Sequence, residues 1–339
     1  MSPITQQRFT YNAAVASVLG AALALMAAVA NAQDIDPKFG EVLSAVVAVH
    51  AEVPTTARTA GVLGTEREGS GVVIDANGLI VTIGYLILEA AHADITLADG
   101  KKVPVDIVGY DNSTGFGLLR AAQPIDVVPM KLGKSADLAE SARVLVSSYG
   151  GAEAARPAIV VSRRAFAGYW EYLLENAIFT SPPYPNFGGA ALISSEGELL
   201  GIGSLVVGDA LRGDRQIPGN MFVPIDNLKA IMKDLLAVGH SSDPPRPWLG
   251  IYTEEIRGRL FVTRVATEGP AVRAGIQEGD IIVAIGDSAI SSMADFYRKL
   301  WARGAAGIDV PLTVLKGAKL VNVTIRSGNR YQWLRLNPV

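Results

Sequence analysis

The sequence predicts a fold dominated by β-structure, arranged in two domains, and three observations predict it. Strand-forming runs recur at short, regular intervals around glycine turns. One amphipathic helix then closes the first half, and a proline-rich polar stretch separates it from a second set of strands. Many short strands at even spacing point to a barrel or a sandwich. With 49% hydrophobic residues in 339, the chain has material for more than one core.

The elements follow in order. Gly71 to Thr82 holds two β-rich runs around Asn77-Gly78, and Asn-Gly between such runs is a strong hairpin signal. Asp99-Gly100 repeats the device between Ile95 and Val103, and Glu196-Gly197 does so between Leu192 and Ile202. From Ile225 to Val238, Leu228, Ile231, Met232, Leu235 and Leu236 recur at helical spacing, and Gly239 stops the helix. His240 to Pro247 reads as a linker. Beyond it, strand runs flank a short helix around Gly269 to Gly275 and a second helix over Ser292 to Arg303, where Phe296 and Leu300 lie one turn apart. Residues 329–339, with Tyr331, Trp333 and Leu336, form a tail that either adds a strand or stays loose.

The predicted domains are therefore a targeting segment at 1–32, a first domain at 38–238, a linker at 239–247, a second domain at 248–328 and the tail at 329–339. Residues 1–32 carry one charge, Arg8, then an alanine-rich apolar run ending in Ala30-Asn31-Ala32. These are the parts of a secretory signal peptide, and they predict a periplasmic chain; left uncut, the same run would anchor it in the membrane.

Composition excludes several function classes. There is no cysteine, so disulfides, thiol catalysis and thiolate metal sites are ruled out. A net charge of −3 without a basic cluster gives no nucleic-acid face. No metal-ligand spacing is present and no cofactor is expected. Any imidazole chemistry must use His50, His92 or His240. His50 falls on an early strand and His92 in a solvated turn.

The stretch Gly69 to Thr82 resembles the strand pair before the catalytic histidine of the HtrA/Deg serine proteases. The resemblance continues through Asp99-Gly100, Val108-Gly109-Tyr110-Asp111, Gly188-Gly189 and Gly201-Ile202. In the second unit, Glu268-Gly269-Pro270-Ala271, Ala274-Gly275-Ile276 and Glu278-Gly279-Asp280-Ile281-Ile282 are similar to the body of a PDZ domain. The resemblance implies a trypsin-like double six-stranded β-barrel followed by an α+β PDZ domain.

It also implies where a catalytic triad would lie, and there the chain departs from the family. Ile80-Val81-Thr82-Ile83-Gly84-Tyr85 stands for I-V-T-N-N-H, so Tyr85 takes the histidine position. Thr114-Gly115-Phe116-Gly117-Leu118-Leu119 stands for T-D-L-A-V-L, so Gly115 takes the aspartate position. Pro185-Asn186-Phe187-Gly188-Gly189 stands for G-N-S-G-G, so Phe187 takes the serine position. Serine attack needs a hydroxyl, a base and an orienting carboxylate. Phenylalanine has no nucleophilic atom, a phenol with a pKa near 10 is a poor base, and glycine orients nothing. Pro185 falls where the resemblance places an oxyanion-hole N–H, and proline has none. Phe187 is expected to plug the cleft, with Tyr184 presented beside it on the stiff Pro182-Pro183-Tyr184-Pro185 segment.

The expectation is a non-catalytic, HtrA-like pseudoprotease that binds peptide or protein C-termini. The alternative is a serine endopeptidase of envelope protein quality control with an atypical site. In the PDZ unit, Trp248-Leu249-Gly250-Ile251 matches the hydrophobic-Gly-hydrophobic core of a carboxylate-binding loop. Phe296 and Leu300 are either the far wall of the peptide groove or core residues. Expected partners are peptide C-termini, a larger exported complex or an active HtrA protein, and the family resemblance adds a homotrimer. Phe166, Tyr169, Trp170 and Tyr172 form an aromatic segment that is either a partner surface or core.

Overall fold

A computed structural model describes residues 39–213 and 216–336; the expected signal segment lies outside them. The chain opens with helix α1 (Phe39–Ser44), then strand β1 (Val46–Glu52) and the short helix α2 (Ala60–Leu63). Next come β2 (Glu66–Val73), β3 (Leu79–Ile83), β4 (His92–Thr96), β5 (Lys102–Tyr110) and β6 (Phe116–Ala121). These six strands close a barrel in the order β1-β2-β3-β6-β5-β4. The turns are the ones the sequence announces: Gly78 (φ 72°) and Gly100 (φ 85°) take the left-handed conformation that glycine adopts without strain.

A second barrel is built from β7 (Arg143–Ser147), β8 (Arg156–Gly168), β9 (Tyr172–Ser181), β10 (Ala191–Ile193), β11 (Leu199–Leu211) and β12 (Ile217–Pro224), in the order β10-β11-β12-β9-β8-β7. Closure leaves neither barrel with an edge strand to satisfy. Helix α3 (Ile225–Val238) occupies the residues that its apolar spacing predicts, burying Ile225, Leu228 and Leu235, and ends at Gly239 with φ 78°. Apolar side chains from both barrels, Val81, Phe116, Leu118, Phe179, Ile202 and Val223 among them, join in one buried cluster. Burying such a cluster is the main force assembling the two barrels.

The second unit holds β13 (Ile251–Ile256), β14 (Arg259–Val265), helix α4 (Pro270–Arg273), β15 (Ile281–Ile285), β16 (Ser288–Ala289), helix α5 (Met293–Trp301), β17 (Asp309–Lys316) and β18 (Lys319–Arg326). Its sheet runs β13-β14-β15-β17-β18, with β16 added beside β15. Ser292 caps α5 by accepting a hydrogen bond from Asp295 N at 3.0 Å.

The described part of the tail, residues 329–336, neither adds a strand nor hangs loose. Residues Arg330–Trp333 form a short helix, α6, that ties the second unit to the first barrel. The Trp333 ring packs 4.8 Å from that of Trp248, and the Tyr331 hydroxyl meets Asp111. Arg335 N donates to the buried carboxylate of Glu89 at 2.7 Å. Among the described residues no helix is long and apolar enough to cross a membrane.

Candidate functional site

The three positions singled out in the first domain converge on one cavity of about 290 Å³ at the junction of the barrels and the second unit. Tyr85, Gly115 and Phe187 all line it, with Ile83, Tyr110, Tyr169, Trp170, Tyr172, Leu205 and Tyr252. Tyr85 sits in a 3₁₀ turn after β3, and its hydroxyl donates to the Ser204 carbonyl at 3.0 Å. Burial pushes its phenol above the ordinary range, so it is neutral and a poor base near pH 7. Gly115 has φ 85°, and its carbonyl accepts from Gly84 N at 2.7 Å. A Cβ on Gly115 would lie 3.4 Å from the Tyr172 hydroxyl, which itself donates to Thr114 O at 2.7 Å. A phenol thus stands close to where a side chain at position 115 would begin.

Phe187 lies on the loop between β9 and β10. The loop is fixed by backbone bonds: Ser70 N donates to Gly188 O at 2.8 Å and Gly189 N to Gly203 O at 2.9 Å. Phe187 does not fill the cleft as expected; it is half-buried, and the cavity remains open beside it. Tyr184 is not presented at all. It is buried, its hydroxyl bonding Ser148 Oγ and the Ala154 carbonyl, both at 2.6 Å. Pro185 is exposed at the rim of a neighbouring groove.

No histidine is among the residues lining the cavity, and Ser204 offers Tyr85 its backbone carbonyl. His50 lies on β1, held between Asp94 (3.0 Å) and Glu66 (2.9 Å), whose carboxylates raise its pKa. His92 opens β4 opposite Glu52 and is exposed, rather than lying in a turn. His240 bonds the carbonyl of Ser241. Among the described residues no serine hydroxyl hydrogen-bonds an imidazole. His50, Glu52 and Glu66 stand near enough to share a cation, but Glu52 and Glu66 are exposed surface groups.

In the second unit the Trp248–Ile251 segment forms a loop in which the N–H groups of Leu249, Gly250 and Ile251 point at one acceptor, the Glu171 carboxylate from the tip between β8 and β9. Leu249 N donates to Glu171 Oε2 at 2.9 Å, and Gly250 N (2.6 Å) and Ile251 N (2.9 Å) both donate to Oε1. Gly250 permits this geometry with φ 77°. Trp248 closes the loop base by exchanging hydrogen bonds with Gly328. The β8–β9 tip is held further along the same face. Thr253 N donates to Tyr169 O at 3.1 Å, while the Tyr297 hydroxyl donates to Gly168 O (2.9 Å) and accepts from Glu171 N (3.2 Å).

Phe296 and Leu300 do not line an open groove. Both are fully buried, in one apolar cluster with Leu173 of β9. Glu171 is 3% exposed, and burial raises its carboxyl to about 7 despite the opposing pull of the loop N–H groups and of Arg330. Sequence reasoning missed Glu171. Its only signal is one acid set between Tyr169, Trp170 and Tyr172.

Residues 69–202 match the trypsin-like peptidase domain family and residues 247–326 the PDZ domain family. The probable periplasmic serine endoprotease DegP-like of Pseudomonas fluorescens is 27% identical over 276 residues, covering 77% of this chain and 56% of that protein. The periplasmic serine endoprotease DegP of Escherichia coli is 28% identical over 277 residues, with 76% and 56% covered. The serine protease PepD of Mycobacterium tuberculosis is 27% identical over 287 residues, with 76% and 61% covered. The chain thus spans less than two thirds of the length of these relatives. The solved HtrA-type protease AlgW with decapeptide superposes with a TM-score of 0.51 at 21% identity, over 91% of this chain and 99% of that one, which shows a shared fold. Two closed barrels, a PDZ sheet and the two family matches show a trypsin-like peptidase domain followed by a PDZ domain, in a chain similar to serine proteases of the HtrA/DegP type.

Proposed function

We propose that this protein is an exported pseudoprotease that binds polypeptide C-termini through its PDZ domain and does not cleave them. One observation carries the first part: the cavity where Tyr85, Gly115 and Phe187 meet has no histidine lining it and no nucleophile at position 187. Loss of one triad member costs on the order of 10⁴ to 10⁶ in rate, and Pro185 further removes an oxyanion donor worth about 10² to 10³. The Leu249–Ile251 loop supports the second part, because it presents three convergent N–H groups to a carboxylate.

A second reading rests on the names of the relatives, which are serine proteases. On that reading the chain is an endopeptidase of the envelope with an unfamiliar active site, for which His50 and His92 are the available bases. The two readings separate on purified protein incubated with casein and with a fluorophosphonate that labels activated serines. The proposal expects neither cleavage nor labelling. Cleavage that disappears in His50→Ala or His92→Ala would establish the second reading. Partners are approached by pull-down from an envelope fraction, where an active HtrA protein or copies of this chain are the expected captures.

A further inference from the structure

The PDZ groove is already occupied. A peptide bound by such a domain lies along the first strand after the loop, with its terminal carboxylate on the loop N–H groups. The tip between β8 and β9 reproduces both contacts: the Glu171 carboxylate takes Leu249 N, Gly250 N and Ile251 N, and Tyr169 O takes Thr253 N on β13. On the helix side Tyr297 clamps the tip from both ends, at Gly168 O and Glu171 N, and Leu173 shares the buried cluster of Phe296 and Leu300.

Several features mark this tip as a fitted insert. Glu171 has φ 58°, an uncommon conformation for a residue with a side chain. Its carboxylate is buried without a salt-bridge partner among the described residues, which is costly unless donors are provided. The loop supplies those donors, and it is the part of the domain suited to a carboxylate.

We propose that the β8–β9 tip is an internal ligand of the PDZ domain. Glu171 stands in for a C-terminal carboxylate, so an external chain enters only by displacing it. This rests on the reading of the PDZ domain as a binder of C-termini. The partner it selects is an extended chain with a free terminal carboxylate, able to outcompete an acid held permanently at the site. An occluded site lowers apparent affinity by the fraction of molecules that are open. An intramolecular competitor present at an effective millimolar concentration or above keeps that fraction small.

The test uses the full chain against an array of decapeptides of varied sequence, each present with a free C-terminal carboxylate and as its C-terminal amide. Two variants open the groove by different routes. Glu171→Asn shortens and neutralises the side chain, and asparagine tolerates the positive φ. Tyr297→Phe removes the hydroxyl clamp and leaves the loop untouched. Amide exchange at residues 249–251 reports on the loop itself. The proposal expects both variants to bind free-carboxylate peptides at least about tenfold more tightly than the parent, to ignore the amides, and to exchange faster at the loop. Equal binding by parent and variants would overturn the internal ligand while leaving the PDZ reading intact. A loop that exchanges faster in both variants while no form binds any peptide would overturn the PDZ reading, and the internal ligand with it.

Discussion

The protonation of Glu171 gives the closed state a pH dependence that can be worked out in advance. Docked against the loop, its carboxyl titrates at about 7, where the ordinary value is 4.5. Released to solvent at the hairpin tip, it returns to that ordinary value. The docked state therefore binds the proton more tightly than the open state does. Its stabilisation from this source is complete below about pH 4.5 and is lost as pH rises through about 7. A difference of roughly 2.5 units at 1.36 kcal/mol per unit amounts to about 3 kcal/mol, or a few hundredfold in the opening equilibrium. The groups that face Glu171 are Tyr297, whose phenol burial raises and so keeps neutral in this range, and the Arg330 guanidinium, which opposes the rise in the Glu171 carboxyl. Protection factors of the Leu249, Gly250 and Ile251 amides, corrected for intrinsic exchange, should fall close to tenfold per pH unit from 5 to 6.5 and level off above about 7.5. Glu171→Gln should show lower protection without the slope. Constant protection across the range, or a slope that survives in Glu171→Gln, would refute the reasoning.

Two further outcomes follow from the geometry. Restoring the nucleophile alone, by Phe187→Ser, should leave casein intact and the protein unlabelled by fluorophosphonate, since no imidazole lines the cavity and Pro185 still lacks an N–H; labelling of this single variant would contradict it. Gly250→Ala should destabilise the PDZ domain by about 1–2 kcal/mol, because φ is 77° and the new methyl would lie 3.2 Å from both Ala266 Cβ and the Trp248 ring. Calorimetry reads this as a drop of a few degrees in Tm, and an unchanged Tm would show that the loop relaxes freely.

What the sequence discloses here is local, and what it conceals is long-range. The turns at Gly78, Gly100 and Gly197 and the helix Ile225–Val238 rest on residues a few positions apart, so their signals survive in a single sequence. Tyr85, Gly115 and Phe187 could be placed from motif order, and they do line one cavity. Phe296 and Leu300 illustrate the limit. Their helical spacing is the same whether the helix faces an open groove or a covered one, and the cover comes from β8 and β9. Tyr184 misled because proline stiffness fixes the backbone and not which way a side chain turns. Its partners Ser148 and Ala154 lie about thirty residues away or more. Glu171 meets Leu249 across 78 residues and a domain boundary, and nothing in the local pattern marks it as a ligand.

The choice of glutamate over its neutral isostere at position 171 bears on what the loop is built to hold. Oε1 takes Gly250 N and Ile251 N while Oε2 takes Leu249 N, so both oxygens act as acceptors. Glutamine has only one acceptor oxygen. Its amide nitrogen would turn N–H bonds toward the N–H of Leu249, or, flipped, toward those of Gly250 and Ile251. Either way donors would face donors in a buried site: with the oxygen at the Oε1 position Leu249 N keeps only its longer bond of 3.2 Å, and in the flipped amide Gly250 N and Ile251 N go unpaired, at a cost of about 1–3 kcal/mol each. The carboxylate accepts the burial penalty that raises its pKa and in return leaves no loop donor unmatched. A receptor with this donor pattern discriminates acids from amides by geometry as well as by charge. That is why the array must contrast free C-termini with amidated ones, and why Glu171→Gln should loosen the groove even at low pH, where charge is no longer the difference between the two side chains.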